Sequence, residues 1–274
     1  MSRIKFENIE NVDELILYLK EKQRFSNINY FSKYTRLSSV VDLFSTEKML
    51  INNPEKMNDL YEYHAFRGFS GWNKICYASF IANGNESVAM WSMYGQPWVD
   101  GVMISIPAST FMEEIQNKKY LISAEYDKRT FRYSPGKDFI INDNLLSIVR
   151  VAYIDDATLT CTGRNDRNHH FKEPYKNTKL AGYVKDSAWE YEKEIRIRVD
   201  LPDSYDSNAI YLQLSEALLK QIIITTGPRF EGNVLTALPQ KYRSSIEIRK
   251  SKFSEKIAWV PCDTCKKTSG NVIE

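Results

Sequence analysis

The segment Trp189-Glu190-Tyr191-Glu192-Lys193-Glu194-Ile195-Arg196 says more about the fold than any other part of the chain. Side chains alternate between the two faces of a β-strand, so this pattern predicts a strand from Trp189 to Val199. One face would carry charged residues only, namely Glu190, Glu192, Glu194, Arg196 and Arg198. The other face would carry Tyr191, Lys193, Ile195 and Ile197.

Two interpretations of the charged face are open. The first is an exposed edge strand, whose charges discourage pairing with other molecules. The second is a partly buried site, in which neighbouring carboxylates raise one another's pKa values and the two arginines compensate. Other segments of the chain are needed to choose between them.

Helical and strand-like segments follow one another along the rest of the chain. Apolar spacing and start signals predict helices over Val12–Gln23, Ser38–Met49, Ala108–Lys118 and Asn144–Val151, a short helix between a capping box at Asn83–Glu86 and a C-cap at Gly95, and another from Ser215. Strands are predicted over Ile75–Phe80, Val102–Ile106, Ile122–Tyr126, Ala209–Leu214, Ile222–Thr225 and Ile246–Arg249. We therefore expect an α+β fold in which helices flank a mixed, largely antiparallel sheet.

The domain organisation is predicted to be simple. Residues 1–274 are expected to form a single domain with an N-terminal helical segment of about 30 residues. Polar residues, glycine and proline cluster at 129–143 and 155–178, which predicts long insertions. Loops of that size are either mobile surface segments or lids and binding loops.

Composition excludes several classes of protein. The 274 residues carry a net charge of +2, so no overall field favours nucleic acid or an anionic membrane. The first ten residues have no apolar signal region, and no run of about 18 apolar residues occurs. The four cysteines are dispersed, and Cys262 and Cys265 lack the second ligand pair of a zinc site. A cytoplasmic protein without a membrane partner or a metal site is expected.

Familiar catalytic motifs are missing from the sequence. The 11 glycines form no G-x-G pair, which excludes the dinucleotide-binding fingerprint and the phosphate-binding P-loop. No G-x-S-x-G elbow occurs, and the only histidines are His64, His169 and His170. No lysine has an acidic residue two positions before it, as a restriction-type nuclease site would need.

Five separate segments of the chain form a recognisable set: Phe31-Ser-Lys-Tyr34, Met57-Asn-Asp-Leu-Tyr-Glu62, Cys76-Tyr-Ala-Ser79, Met90-Trp-Ser-Met-Tyr-Gly95 and Trp189 to Arg196. Together they resemble a bacterial family of unknown function that is often associated with phage defence. The resemblance covers roughly residues 30 to 200. Leu60 departs from it, because the family tends to have proline after Asn-Asp.

That family in turn resembles divergent ADP-ribosyltransferases, which implies an ADP-ribosyltransferase-like fold and NAD as co-substrate. The superfamily's glutamate motif on a late strand corresponds here to Glu192 and Glu194, the implied catalytic pair. Its basic residue on an early strand corresponds to a position within Tyr34, Thr35 and Arg36, although Lys33 stays open as an equivalent. Its mid-chain residue corresponds to Ser79 or Tyr94.

The chemistry implied by this resemblance assigns a role to each residue. Cleavage of the nicotinamide–ribose bond develops positive charge on the ribose, which a fixed carboxylate stabilises. Glu194 would face this charge, and Glu192 would orient or deprotonate the acceptor. Arg36 would pair with the pyrophosphate, and Trp91 or Tyr94 would stack on nicotinamide. Both aromatic residues also suit an apolar core.

Three functions follow as expectations. The first is an NAD-dependent ADP-ribosyltransferase acting on RNA, DNA or protein as a bacterial toxin or anti-phage effector, and the toxin analogy implies an antitoxin partner. If nucleic acid is the acceptor, Arg164 to Lys172 would contact phosphates. The second is a non-catalytic sensor or interaction module that uses the same aromatic cleft. A metal-dependent nuclease is a distant third.

Overall fold

The computed structural model of the protein describes residues 12–21, 25–53, 74–95, 99–130, 132–140, 145–154, 180–203, 205 and 209–254. Its helices are α1 (Val12–Lys20), α2 (Leu37–Thr46), α3 (Val88–Tyr94), α4 (Ala108–Gln116), α5 (Glu216–Leu219) and α6 (Val234–Ala237), with 3₁₀ helices over Ser187–Glu192 and Gln240–Tyr242. Among the described helices, none has the length and apolar character needed to cross a membrane.

The strands are β1 (Tyr30–Arg36), β2 (Lys48–Asn52), β3 (Ile75–Ala82), β4 (Gly101–Pro107), β5 (Tyr120–Asp127), β6 (Arg132–Ile140), β7 (Leu146–Arg150), β8 (Ala152–Ile154), β9 (Val184–Asp186), β10 (Glu194–Asp200), β11 (Ala209–Gln213), β12 (Ile223–Thr226) and β13 (Glu247–Lys250). An 11-stranded sheet has the order β13-β12-β4-β1-β3-β2-β11-β5-β6, with β10 between β3 and β7. Its pairs are antiparallel except for β12 with β13, and β8 and β9 form a separate parallel pair. The predicted α+β class with a mixed, largely antiparallel sheet is confirmed.

Strand β10 lies inside the sheet. It pairs with β3 along its whole length, from Glu194 opposite Ile81 to Asp200 opposite Ile75. Its other edge pairs with β7, where Ile195 lies opposite Arg150. The interpretation of the charged segment as an exposed edge strand is therefore wrong.

The main apolar core packs against one face of β10. Ile195, Ile197 and Val199 are buried there among residues from most of the sheet. Burying each such side chain contributes about 1.5–3 kcal/mol to folding. This apolar face stabilises β10 in its position between β3 and β7.

Two smaller apolar clusters lie on the opposite face. Tyr77 of β3 packs with α1, and Ile81 of β3 packs with α3. Ser79 lies between these two residues on the same face of β3, since side chains alternate along a strand. Arg196 is the residue opposite Ser79. The charged residues of β10 therefore fill the space between the two clusters.

Most predicted elements are confirmed within a few residues, and three corrections concern the predicted helices. The predicted helix Asn144–Val151 is wrong, because Leu146–Arg150 is strand β7 and pairs with β10. The helix predicted to reach Met49 ends at Thr46, where Glu47 turns left-handed with φ of 57°. The capping box at Asn83–Glu86 is also wrong, since α3 begins after Ser87.

The polar segment 129–143 is not simply an insertion. Arg132–Ile140 forms strand β6 and pairs with β5, with an irregular register where Ala124 meets Pro135. Gly136 allows this close approach, because a Cβ there would lie 2.3 Å from the Ser123 hydroxyl. The segment 155–178, His64 and Cys262–Cys265 lie outside the described residues. The single-domain organisation stays a prediction.

Candidate functional site

The charged face of β10 begins with an ion pair between Glu194 and Arg196. These residues are two apart on the strand, so their side chains lie side by side. Glu194 Oε1 accepts a hydrogen bond from Arg196 Nε at 2.7 Å, and Oε2 accepts one from Nη2 at 3.0 Å. Both side chains are buried, with exposed fractions of 5% and 0%. This two-bond geometry fixes the orientation of the carboxylate.

Glu192 reaches the same place by a different backbone route. The segment Ser187–Glu192 is a 3₁₀ helix, whose start is capped by the Asp186 side chain accepting the Ala188 N–H at 2.8 Å. Lys193 then adopts a left-handed conformation with φ of 49°. The predicted strand therefore begins five residues later than expected, at Glu194, yet the turn still brings Glu192 into the charged cluster.

Lys185 bridges the two carboxylates, and the sequence offered no sign of this role. Its Nζ lies 2.5 Å from Glu192 Oε2 and 3.5 Å from Glu194 Oε2. The ammonium also lies 4.5 Å from the centre of the Trp189 ring. Lys185 comes from β9, so its position depends on the pairing of β8 with β9. The spacing of Lys185 from the two glutamates in the sequence would not place all three side chains on one face of a helix or a strand.

Two tyrosines complete the contacts of the carboxylates. Tyr94, in the last turn of α3, donates a hydrogen bond from its hydroxyl to Glu192 Oε1 at 2.5 Å. Gly95 ends this helix by donating its N–H to the Trp91 carbonyl at 3.0 Å. The Tyr153 hydroxyl accepts the backbone N–H of Glu194 at 2.8 Å. Sequence reasoning missed Tyr153.

The two glutamates have pKa values shifted in opposite directions. Burial alone would raise the pKa of Glu194, but the charges of Arg196 and Lys185 outweigh it and hold the pKa at about 2. Burial raises the pKa of Glu192, and the neighbouring Glu194 charge adds to this effect against the opposing contacts of Lys185 and Tyr94. One carboxylate is therefore permanently ionised at neutral pH, and the other is the better proton acceptor.

Burial also shifts the pKa of the tyrosine hydroxyls. It raises the pKa of Tyr94 well above its usual range, and the negative charge of Glu192 raises it further. The pKa of Tyr153 is raised by burial and by Glu194. Both hydroxyls therefore stay protonated at neutral pH, and the Tyr94 proton remains available as a hydrogen-bond donor to Glu192.

Ser79 and Lys33 belong to the strands β3 and β1, which follow β10 in the sheet. The buried Ser79 hydroxyl contributes to the low pKa of Glu194, although it makes no hydrogen bond of good geometry within the described ranges. Lys33 Nζ donates to the Ser79 carbonyl at 3.3 Å. Burial lowers the pKa of Lys33, while the Glu194 charge opposes that shift. The charges of Lys33 and Glu194 thus influence each other across neighbouring strands.

The predicted aromatic residues Tyr34 and Trp91 pack on each other beside the site. Their ring centres are 4.7 Å apart in an edge-to-face arrangement, and Trp91 is only 1% exposed. Trp91 donates its Nε1–H to Glu86 at 3.0 Å, and the Tyr34 hydroxyl accepts the Ser87 N–H at 3.0 Å. These contacts support the helix that carries Tyr94.

Thr35 and Arg36 lie farther along β1. Ser32 is the β1 residue in line with Glu194, because both are opposite Ile81. Arg36 is four residues beyond Ser32, which corresponds to about 13 Å along an extended strand. The fold therefore brings Glu192, Glu194, Ser79 and Tyr94 together, and it places Arg36 near the exposed end of β1.

Comparison with protein families gives one match. Residues 90–197 match a family described as "Protein of unknown function (DUF2971)". The matched segment begins in α3 and ends in β10, so it contains both Tyr94 and the glutamate pair. No curated protein and no solved structure matches the chain.

The geometry of the cluster suits proton transfer next to a fixed negative charge. Glu194 supplies a carboxylate that stays ionised, and Glu192 supplies one with a raised pKa. Opposite pKa shifts in neighbouring groups are a mark of acid–base sites, although structural ion-pair networks produce them too. The positions of Glu192 and Tyr94 could be anticipated from motifs, and Lys33 was one of the residues left open for the early-strand position. The positions of Lys185 and Tyr153 could not be anticipated.

Proposed function

We propose that this protein is an NAD-dependent ADP-ribosyltransferase that modifies a macromolecule, as a bacterial toxin or anti-phage effector. The observation that carries the proposal is the hydrogen bond from Tyr94 to Glu192 at 2.5 Å. It joins two segments that resemble ADP-ribosyltransferase motifs and are distant in sequence. The opposite pKa shifts of Glu192 and Glu194 support the same proposal.

The two glutamates of the site suit NAD as co-substrate. Cleavage of its nicotinamide–ribose bond develops positive charge, which a permanently ionised carboxylate stabilises. Glu194 suits that role because its pKa is held at about 2. Glu192 suits deprotonation of the acceptor because its pKa is raised. Arg196 and Lys185 keep both carboxylates in position.

Transfer of labelled ADP-ribose to the macromolecules of a bacterial extract tests this proposal. The wild-type protein should label one class of acceptor, and digestion with ribonuclease, deoxyribonuclease or protease should identify that class. Glu192→Gln should reduce labelling by about 100-fold or more, since general-base catalysis contributes that much. Glu190→Gln is the matched control, because Glu190 is exposed on the same 3₁₀ helix. Equal labelling by both variants would overturn the proposal.

Burial favours a second candidate, a non-catalytic interaction module. The exposed fractions of Glu192 and Glu194 are only 4% and 5%, and both carboxylates are paired. Such a network can hold the protein in one conformation without taking part in a reaction. If expression of the protein slows bacterial growth, a module of this kind predicts the same growth defect for Glu192→Gln and Glu194→Gln variants that remain folded. The enzyme predicts that the defect disappears.

A further inference from the structure

Tyr94 is the most solvent-exposed of the residues that bond directly to the Glu192 carboxylate in the described part of the chain. Lys185, the other partner, is buried at 4% exposure, whereas Tyr94 is partly exposed. Glu192 itself is buried. Of the two partners of Glu192, Tyr94 is therefore the one with more surface open to solvent.

The bond between Tyr94 and Glu192 is short enough to transmit a proton. The oxygen–oxygen distance is 2.5 Å, at the short end of charge-assisted O–H···O⁻ hydrogen bonds. The phenol does not ionise at neutral pH, because burial and the Glu192 charge raise its pKa far above that range. The carboxylate has a raised pKa and accepts protons more readily than an ordinary glutamate.

The position of Tyr94 is fixed from both sides. Gly95 follows it in a helix end that leaves no room for a side chain, since a Cβ would lie 2.8 Å from the Trp91 carbonyl oxygen. On the other side, the Met93 sulfur accepts a hydrogen bond from the Tyr191 hydroxyl at 3.4 Å. These contacts tie the end of α3 to the 3₁₀ helix that carries Glu192.

We propose that Tyr94 is a catalytic residue that contacts the acceptor and relays its proton to Glu192. This inference rests on the proposed transferase function. As the acceptor oxygen or nitrogen bonds to the ribose carbon, its proton passes to the Tyr94 oxygen. The Tyr94 proton passes at the same time to Glu192 Oε1, and nicotinamide leaves with the electron pair of the broken bond. Tyr94 ends as it began, and Glu192 ends protonated.

The relay predicts different losses for two reactions of the same enzyme. Tyr94→Phe removes the hydroxyl, so transfer to a macromolecule should fall by about 100-fold. Hydrolysis of NAD by water should fall much less, because a water molecule can occupy the space of the hydroxyl and bond to Glu192 directly. The ratio of transfer to hydrolysis should therefore fall at least tenfold. Glu190→Gln, which changes an exposed side chain on the 3₁₀ helix that carries Glu192, should leave the ratio unchanged.

A spectroscopic measurement keeps the test independent of turnover. Proton NMR of the folded wild-type protein should show a far-downfield resonance from the short hydrogen bond, and both Tyr94→Phe and Glu192→Gln should remove it. Absence of that resonance in the wild type, or equal losses of transfer and hydrolysis in Tyr94→Phe, would overturn the relay. A wild-type protein that shows the resonance but turns over no NAD would instead overturn the proposed function, and the relay with it.

Discussion

The two faces of strand β10 differ in how burial of their side chains affects the free energy of folding. One face buries Ile195, Ile197 and Val199 in the main core, where removal from water stabilises the fold. The other buries Glu194, Arg196 and Arg198, whose removal from water costs free energy that has to be offset by ion pairs and hydrogen bonds. Both faces are equally inaccessible to solvent, so burial alone does not distinguish them. They differ because one carries apolar side chains and the other carries charged ones.

The two faces differ in how replaceable their residues are for stability. A buried ion pair can often be replaced by apolar residues of similar size without loss of stability. A buried isoleucine already stabilises the fold by its removal from water, so replacing it brings no such gain. Ion pairs such as those on the charged face of β10 are therefore not generally needed for a stable fold. The proposed site lies on that face, and the next predictions compare it with the apolar one.

The largest expected effect on stability comes from removing one partner of the ion pair between Glu194 and Arg196. Arg196→Met leaves Glu194 buried without its main partner, so the free energy of unfolding should fall by about 3–5 kcal/mol. Ile197→Val, on the apolar face, should cost only about 0.5–1.5 kcal/mol. Urea denaturation monitored by fluorescence measures both. The double variant Glu194→Leu/Arg196→Met should recover much of the loss, and failure to recover would mean that the ion pair itself stabilises the fold.

The second effect is the acid sensitivity of Glu194. Its pKa is lowered from 4.5 to about 2 in the folded protein, so its contribution is present above the unfolded-state pKa and is lost as the pH falls through the folded-state value. The difference in unfolding free energy between wild type and Glu194→Gln should shrink by about 3 kcal/mol between pH 5 and pH 2. Denaturation at a series of pH values checks this. A difference that does not change with pH would contradict the assigned pairing.

Glu192 should give the opposite pH dependence. Its pKa is raised by burial and by Glu194, so its stabilising contribution is present below the unfolded-state pKa and is lost as the pH rises through the folded-state pKa. Relative to the wild type, Glu192→Gln should therefore gain stability as the pH rises from about 4.5. The same denaturation series measures the sign. Parallel pH profiles for the two glutamine variants would show that the pKa values are not shifted apart.

The smallest effect belongs to an exposed ion pair far from β10. Arg249 lies 2.6 Å from Glu247 on edge strand β13, with both side chains more than half exposed. Arg249→Ala should change the unfolding free energy by no more than about 0.5 kcal/mol, because exposed pairs are screened by solvent. A loss comparable to that of Arg196→Met would show that burial is not what separates the two pairs.

The alternation along β10 could be predicted because it depends only on local geometry. Glu194, Arg196 and Arg198 share one face in the structure as they do in the sequence pattern. The start of the strand could not be predicted, because it depends on the left-handed turn at Lys193, and such turns are uncommon for residues other than glycine. Glu192 still lies in the predicted site, although it precedes the strand.

Residues brought in from other elements lay beyond sequence reasoning. Lys185 reaches the glutamates through the pairing of β8 with β9, which has no local signal. Trp91 is buried because Tyr34 of a distant strand packs against it, so its apolar character alone could not separate core from ligand contact. The helix predicted over Asn144–Val151 failed because pairing with β10 outweighed its helical spacing.

Release of nicotinamide from NAD by purified protein tests the central claim most directly. The charged face of β10 is an active site if the wild type and Glu190→Gln release nicotinamide at similar rates and Glu192→Gln does so about 100-fold more slowly while remaining folded. No release by the wild type, supplied with the cellular acceptors, or equal release by all three proteins, would contradict that claim.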